Sequence, residues 1–374
     1  MVVMIKEKIE AAEAIRGVAC LFVVFSHLSL TFFPSLHNFF NYPTTTEYYE
    51  LWMHNSPFAF WYSGTAAVYI FFVLSGYVLT YTIVNSRDPI KKIKQMSIKR
   101  YPRLMLPALV SCILLWAAYR WIDAPTDHVT DWGSSIGDVP DSTFMYALYD
   151  GSIKSFFLGY SDYNWVLWTM RIELFGSFGL FLLLYLRERK AVFSWLLPIL
   201  TILLCLDLDY LGYAAFLIGS LFYFHKKNLS NFAASLCLLL GLYFAGVHNT
   251  SHVYQWFYDV LNDNTYEILN FLSGPLIVMS IMWNQKLAEA FSNRVTIYLG
   301  KLSFAAYLNH ILILFVVGLP LFQYLLELNW SYAWAAGTTC VAVVILTIAF
   351  SEVFYQVVDK NTMKLAAKIS DKLI

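Results

Sequence analysis

The segment Arg16-Gly-Val-Ala-Cys-Leu-Phe-Val-Val-Phe-Ser-His27 carries two ionisable side chains in a run otherwise fit for a bilayer. Eleven helical steps of about 100° end only about 20° past three full turns. The guanidinium of Arg16 and the imidazole of His27 therefore share one helix face, roughly 16 Å apart along the axis. Ionisable groups inside a membrane are costly and mark functional sites. A fixed cation near one surface and a titratable ring midway across point to a site that runs into the bilayer.

The rest of the chain agrees with a membrane setting. Its 374 residues are 59% hydrophobic and 13% charged, against about 25% charged in a soluble domain. The apolar excess lies in long blocks, the mark of an all-α polytopic membrane protein. The formal net charge is zero, so bulk charge does not point to nucleic acid. The five cysteines are scattered over different apolar blocks without a Cys-x-x-Cys. Neither a disulfide framework nor a metal site is indicated. The charged N-terminus leads into the Arg16 helix without a small-residue cleavage signal, and reads as a retained first span.

Ten candidate spans run approximately over residues 14–33, 62–84, 104–122, 164–186, 191–206, 210–224, 229–247, 266–283, 302–320 and 331–356. The fifth and sixth are short for a crossing of roughly 20 residues and read equally as a re-entrant pair. Lys and Arg mark the cytoplasmic side. The connection from Asn85 to Arg103 holds seven of them, and by this map 22 of the 25 lie on one side or at its boundary. That asymmetry predicts cytoplasmic N- and C-termini. The segments 34–61 and 123–163 fall outside, where they are aromatic and acidic, with Trp52, Trp61, Trp132, Tyr146 and Tyr149 among them. Such aromatics either stack on sugar rings or form an interfacial belt. The expected organisation is a single membrane domain over 1–358 and a short cytoplasmic amphipathic helix over 359–374, with no appended soluble domain.

Of eight histidines, only His27 and His310 fall well inside spans. An imidazole tuned toward neutrality serves as a general base; the plainer alternative is a buried ring bonded to a carbonyl. Glu173 and Arg171, in the outer part of the fourth span, are two residues apart and so point in different directions. Glu173 is a candidate to orient a histidine or an acceptor hydroxyl, with an interhelix salt bridge as the competing reading. Arg100-Tyr-Pro-Arg103 precedes the third span, with Pro102 suited to a helix start. Two arginines there can hold phosphates, although positive-inside bias alone accounts for them. Ser75 and Gly76 lie in the inner half of the second span, where small residues admit a ligand or a neighbouring helix. Glu352, near the end of the last span, reads as structural.

Five of these segments together resemble the acyltransferase-3 family of integral membrane acyltransferases. Arg16 and His27 match its Arg-x10-His signature. Gly64 to Tyr77 looks like its Gly-x-x-x-Val-x-x-Phe-Phe-Val-Leu-Ser-Gly-Phe/Tyr stretch. Arg100 and Arg103, followed by Pro107, resemble its Arg-x-x-Arg motif. Trp168-Thr-Met-Arg-Ile-Glu173-Leu-Phe is similar to its Trp-Ser/Thr-Leu-x-x-Glu-x-x-Phe pattern, with Met170 in place of the usual Leu. Ser303-Phe-Ala-Ala-Tyr307-Leu-Asn-His310 looks like its Ser-x-x-x-Tyr-Leu-x-His pattern.

The resemblance implies transfer of an acyl group, usually acetyl, from cytosolic acyl-CoA to a hydroxyl of a carbohydrate or lipid-linked glycan. It implies residence among the lipids of a bacterial inner (plasma) membrane, and no nucleic-acid partner. His27, Glu173 and His310 become the expected catalytic residues; Arg16, Arg100, Arg103 and Ser75 become the expected donor contacts. Some relatives carry an extracytoplasmic hydrolase-like domain. Without one, the chain completes the transfer itself or hands the acyl group to a partner. A transporter or flippase for a glycan or organic acid is the reading from another class, with intramembrane Arg, His and Glu as substrate or proton sites.

Overall fold

The computed structural model describes residues 2–37, 48–136, 143–189 and 193–374. Among these, every regular element is helical. Ten helices correspond to the ten apolar blocks: α1 (Val2–Phe32), α2 (Gly64–Val84), α3 (Pro89–Trp121), α4 (Thr169–Arg189), α5 (Phe193–Leu204), α6 (Leu211–Phe224), α7 (Asn231–Ala245), α8 (Thr265–Met282), α9 (Arg294–Ile313) and α10 (Tyr332–Phe354). An eleventh, α11 (Lys360–Leu373), follows a π-helical turn after α10. Among the described residues, seven helical stretches are long and apolar enough to cross a membrane; α5, α6 and α7 belong to shorter apolar stretches. The chain is an all-α polytopic membrane protein. The seventh block was expected to be nearly full length, but α7 has only 15 residues.

Two boundaries differ from the sequence reading. The third helix begins at Pro89, fifteen residues before the expected start, because Asp88 caps it by accepting from the Lys91 N–H at 2.9 Å. Pro102 is therefore interior and not a helix start. A membrane helix tolerates this because neighbouring elements satisfy the freed backbone groups. The fourth helix begins at Thr169, after a 3₁₀ turn over Trp165–Trp168.

Two parallel pairs organise the bundle. Helices α1 and α9 run side by side in the same direction in a single register. Gly17 faces Gly300, Cys20 Sγ donates to Ser303 O at 3.3 Å, and His27 meets His310. Each pair is separated by 283 positions. The two glycines make this approach possible. A Cβ on Gly300 would stand 2.1 Å from Glu13 O, and one on Gly17 would stand 2.5 Å from Thr296 O. Close backbone crossings of this kind are how membrane helices gain packing without a hydrophobic driving force. Asn293 starts α9 with a capping box, accepting from Thr296 N while Thr296 Oγ1 accepts from Asn293 N. Helices α2 and α6 form the second parallel pair, where a Cβ on Gly76 would collide with Phe216 O and one on Gly219 with Val73 O. The small residue at 76 thus serves helix packing. At the far end, α11 lies along the N-terminal part of α3, burying Thr362, Ala366 and Ser370 while its lysines face outward.

Overpacking a tight crossing costs about 1–3 kcal/mol. Gly300→Ala is expected to lower the melting temperature of the detergent-solubilised protein and its monodisperse yield on size-exclusion chromatography. Gly337→Ala on α10, where a Cβ meets no neighbour within 4 Å, should change neither.

Candidate functional site

Helices α1, α2, α3, α4 and α9, with neighbouring segments, enclose two cavities that share a wall. The first, of about 450 Å³, is lined by Glu13 and Arg16 from α1, Phe71 and Ser75 from α2, Arg100 and Arg103 from α3, Glu173 from α4, Lys301 and Phe304 from α9, and Asp359 and Met363 after α10. Its four cations face three carboxylates. Arg16 Nη1 lies 3.4 Å from Glu13 Oε1, and Arg100 is ion-paired with Glu173. The Glu173 carboxylate also accepts from Ser75 Oγ at 2.9 Å. Arg100 Nε is buried without a hydrogen-bond partner, while Arg103 is exposed.

The second cavity, of about 190 Å³, is lined by Ser26, His27, Leu30, His37, Thr65, Trp132, Trp165, Trp168, Tyr266 and Ile311. Val68 and Tyr307 line both spaces. Along each of α1, α2 and α9, the lining residues of one cavity give way to those of the other. Arg16 and His27 therefore stand in different chambers of one continuous site.

His27 and His310 form a directed pair. His27 Nδ1 lies 2.6 Å from His310 Nε2, with ring planes 5° apart. Two rings stacked face to face could not bring nitrogens so close, so the bond runs in the ring planes. His310 Nδ1 lies 3.1 Å from Ala306 O. A carbonyl only accepts, so this nitrogen carries the proton. Neutral His310 then accepts at Nε2 from the Nδ1–H of His27. The remaining nitrogen of His27, Nε2, keeps its lone pair. A backbone carbonyl on α9 thereby sets the tautomer of a ring on α1. His310 is 1% exposed and lines neither cavity, so it positions His27 and does not itself reach a ligand. Trp132 lies parallel to the imidazole, with centroids 5.1 Å apart and planes 10° apart.

Glu173 makes an interhelix salt bridge, the competing reading of its sequence position, and meets neither histidine. It lies in the cationic cavity, across the Tyr307 wall from His27, paired with Arg100. Helix α4 starts only at Thr169, and α3 carries Arg100 eleven residues into a helix, so the two half-buried charges meet. Glu352 accepts from Tyr298 on α9 at 2.8 Å, a structural link between helices. Gly17 and Cys20 are packed against α9, and the shared wall lies at Val68 and Tyr307.

The aromatic wall is held by a buried network that sequence reasoning did not assign. Asp150 is buried and accepts from Ser161 Oγ at 2.5 Å, Asp162 N at 3.0 Å and Tyr163 N at 3.3 Å. Lys154 Nζ lies 2.5 Å from Asp162 Oδ2 and 3.8 Å from Asp150 Oδ1. Tyr146 donates to the same Asp162 oxygen. Asn164 Nδ2 then donates to Ser111 Oγ and Leu308 O, each at 2.9 Å, which fixes Trp165 and Trp168 beside His27. The signal available in sequence was Lys154 itself, the lone cation among the aspartates of 123–163 and one helical turn from Asp150.

An apolar helical bundle with two polar-lined cavities enclosed in it is an integral membrane protein. The sequence profile of the acyltransferase-3 family, described as an acyltransferase domain, matches residues 9–352. The chain belongs to that family and is a membrane acyltransferase. No curated protein and no solved structure matches it.

Two predictions follow from this geometry. Burial alone would raise the Asp162 carboxyl, but the hydrogen bonds from Lys154 and Tyr146 hold it below its ordinary value. A depressed carboxylate stabilises the fold above its unfolded pKa of about 3.9, and that contribution is lost as the pH falls through the folded value. Asp162→Asn should melt below wild type at pH 7, and the gap should close as the pH drops below about 4. His310→Phe leaves the His27 Nδ1–H without its acceptor. It should lower the melting temperature of the purified protein, because a donor left unsatisfied away from water costs about 1–3 kcal/mol.

Proposed function

We propose that this protein moves an acyl group, acetyl in the simplest case, from cytosolic acyl-CoA to a hydroxyl of a carbohydrate or lipid-linked glycan. The cationic cavity is the donor site and opens toward the cytoplasm. The aromatic cavity is the acceptor site and opens outward, with both chain termini cytoplasmic, in a bacterial inner membrane. The observation that carries this reading is the pair of chambers meeting at one wall, cations on one side and the His27 lone pair on the other.

On this reading Arg16, Arg103 and Lys301 hold the donor's phosphates. Arg100 adds its unpartnered Nε–H, while Glu173 and Ser75 keep its guanidinium in place. Charge-assisted bonds from arginine suit phosphate. The three indoles and Tyr266 give flat apolar faces for a sugar ring, and the small volume admits one hydroxyl-bearing edge at a time. His27 Nε2 takes the proton of the acceptor hydroxyl as its oxygen bonds to the acyl carbon. The carbon–sulfur bond breaks, and the proton passes to the departing sulfur. The imidazolium formed in between keeps its Nδ1–H on His310, the orienting role that a buried partner plays for a catalytic histidine. Holding donor and acceptor at one wall supplies proximity and orientation. Glu173 takes no part in the proton transfer, because it stands on the donor side.

His27→Ala should lower kcat by about 10²–10⁴-fold and leave donor affinity intact. Arg103→Ala should raise the donor KM about tenfold, roughly 1.4 kcal/mol, with little change in kcat. Steady-state rates with labelled acetyl-CoA and membrane glycan extract measure both. Wild-type transfer by the His27 variant would remove the base from this scheme. Uptake of label into sealed vesicles without covalent product would favour a transporter instead.

A further inference from the structure

Two side chains, Val68 and Tyr307, line both cavities, and one of them is tethered by its hydroxyl. Tyr307 donates to Val166 O at 2.6 Å and shares a hydrogen bond with Thr169 Oγ1 at 2.9 Å. Both partners stand where the 3₁₀ turn passes into α4, with Val166 lining the aromatic cavity and Thr169 the cationic one. The Tyr307 ring lies against Phe71 of α2 on one side, centroids 6.2 Å apart, and against His310 on the other, also at 6.2 Å. Tyr307 is 7% exposed, so the ring fills the gap between α9 and α4 while Val68 fills it from α2.

An arginine-rich chamber and a histidine lone pair do not need a barrier merely to coexist. A barrier matters when what sits in the first chamber reacts with water under the influence of the base in the second. A thioester does so: water's oxygen bonds to the acyl carbon, the carbon–sulfur bond breaks, and the water proton passes through the imidazole to sulfur. The products are a free carboxylic acid and a free thiol.

We propose that Tyr307, tethered to Val166 and Thr169 and backed by Val68, is the specificity-determining partition of the site. It keeps the donor thioester from His27 and water, and gives way when an acceptor fills the aromatic cavity. The proposal rests on the donor and acceptor assignment above. Loss of the hydroxyl loosens the partition, and loss of the ring removes it. Neither change removes a cation or a hydrogen bond of the His27–His310 pair.

The test uses the purified full chain in lipid nanodiscs with acetyl-CoA and no acceptor. Release of free thiol reports hydrolysis, and the thermal shift caused by desulfo-acetyl-CoA, which is not hydrolysed, reports donor binding. Tyr307→Phe should raise the hydrolysis rate several-fold, and Tyr307→Ala by tenfold or more, with the donor-induced shift kept. A defect that merely disordered the site would lower every rate, so a gain is the distinguishing result. Val68→Ala thins the same wall from α2 and should also raise hydrolysis; it decides the matter if the Tyr307 variants do not fold. An unchanged or reduced hydrolysis rate, with the shift retained in wild type and variants, overturns the partition and leaves the donor site standing. Absence of any shift in the wild type overturns the donor assignment and the partition with it.

Discussion

The approach of α1 to α9 is the constraint on which the site depends. Two glycines let the backbones close, and one register then sets three contacts along their length. The register carries Arg16, midway along α1, and His27, near its C-terminal end, to their places against α9. A shift by a single residue would turn His310 about 100° away from His27 and break the hydrogen bond between the two rings. Stability and chemistry are joined here: the same packing that holds the helices together determines which imidazole nitrogen bears a proton.

Charge is handled differently in the two chambers. In the cationic one, carboxylates face the arginines, so no strong field is left uncompensated in a low-dielectric interior. An incoming anion would find one orphaned guanidinium N–H and one exposed arginine. In the aromatic one there is no formal charge on the lining beyond the histidines, and orientation comes from ring stacking and from a hydrogen-bond chain anchored in the main chain. Lys154 and its aspartates lie behind this wall. They stiffen the segment that carries Trp165, so the only cation of that loop is spent on architecture.

Much of this was legible in the sequence. The apolar blocks located the helices, and the spacing of Arg16 and His27 placed them on one face. The ordered motifs pointed to the family that the profile match then showed. What was hidden needed two helices at once. His310 could be read as an intramembrane histidine, but its bond to a ring 283 positions away is a property of the α1–α9 register. The salt bridge of Glu173 was one of two readings of its position, but its partner Arg100 could not be named because α3 begins fifteen residues earlier than the apolar block suggests. Tyr307 stood in a quoted motif without a role, since no periodicity reveals that a residue borders two spaces. Lys154 was visible as an isolated cation, yet its partners depend on a tight loop between Gly159 and Asn164.

The cationic cavity has walls from both ends of the chain: Glu13 and Arg16 from the first helix, Asp359 and Met363 from the last. During synthesis, more than three hundred residues separate the appearance of these groups. An incompletely translated chain therefore has α1 in place but neither α9 to orient its histidine nor the final turn to finish the chamber. Such an intermediate lacks the enclosed cationic chamber, so the cavity is a property of late-formed contacts and not of the first helix alone.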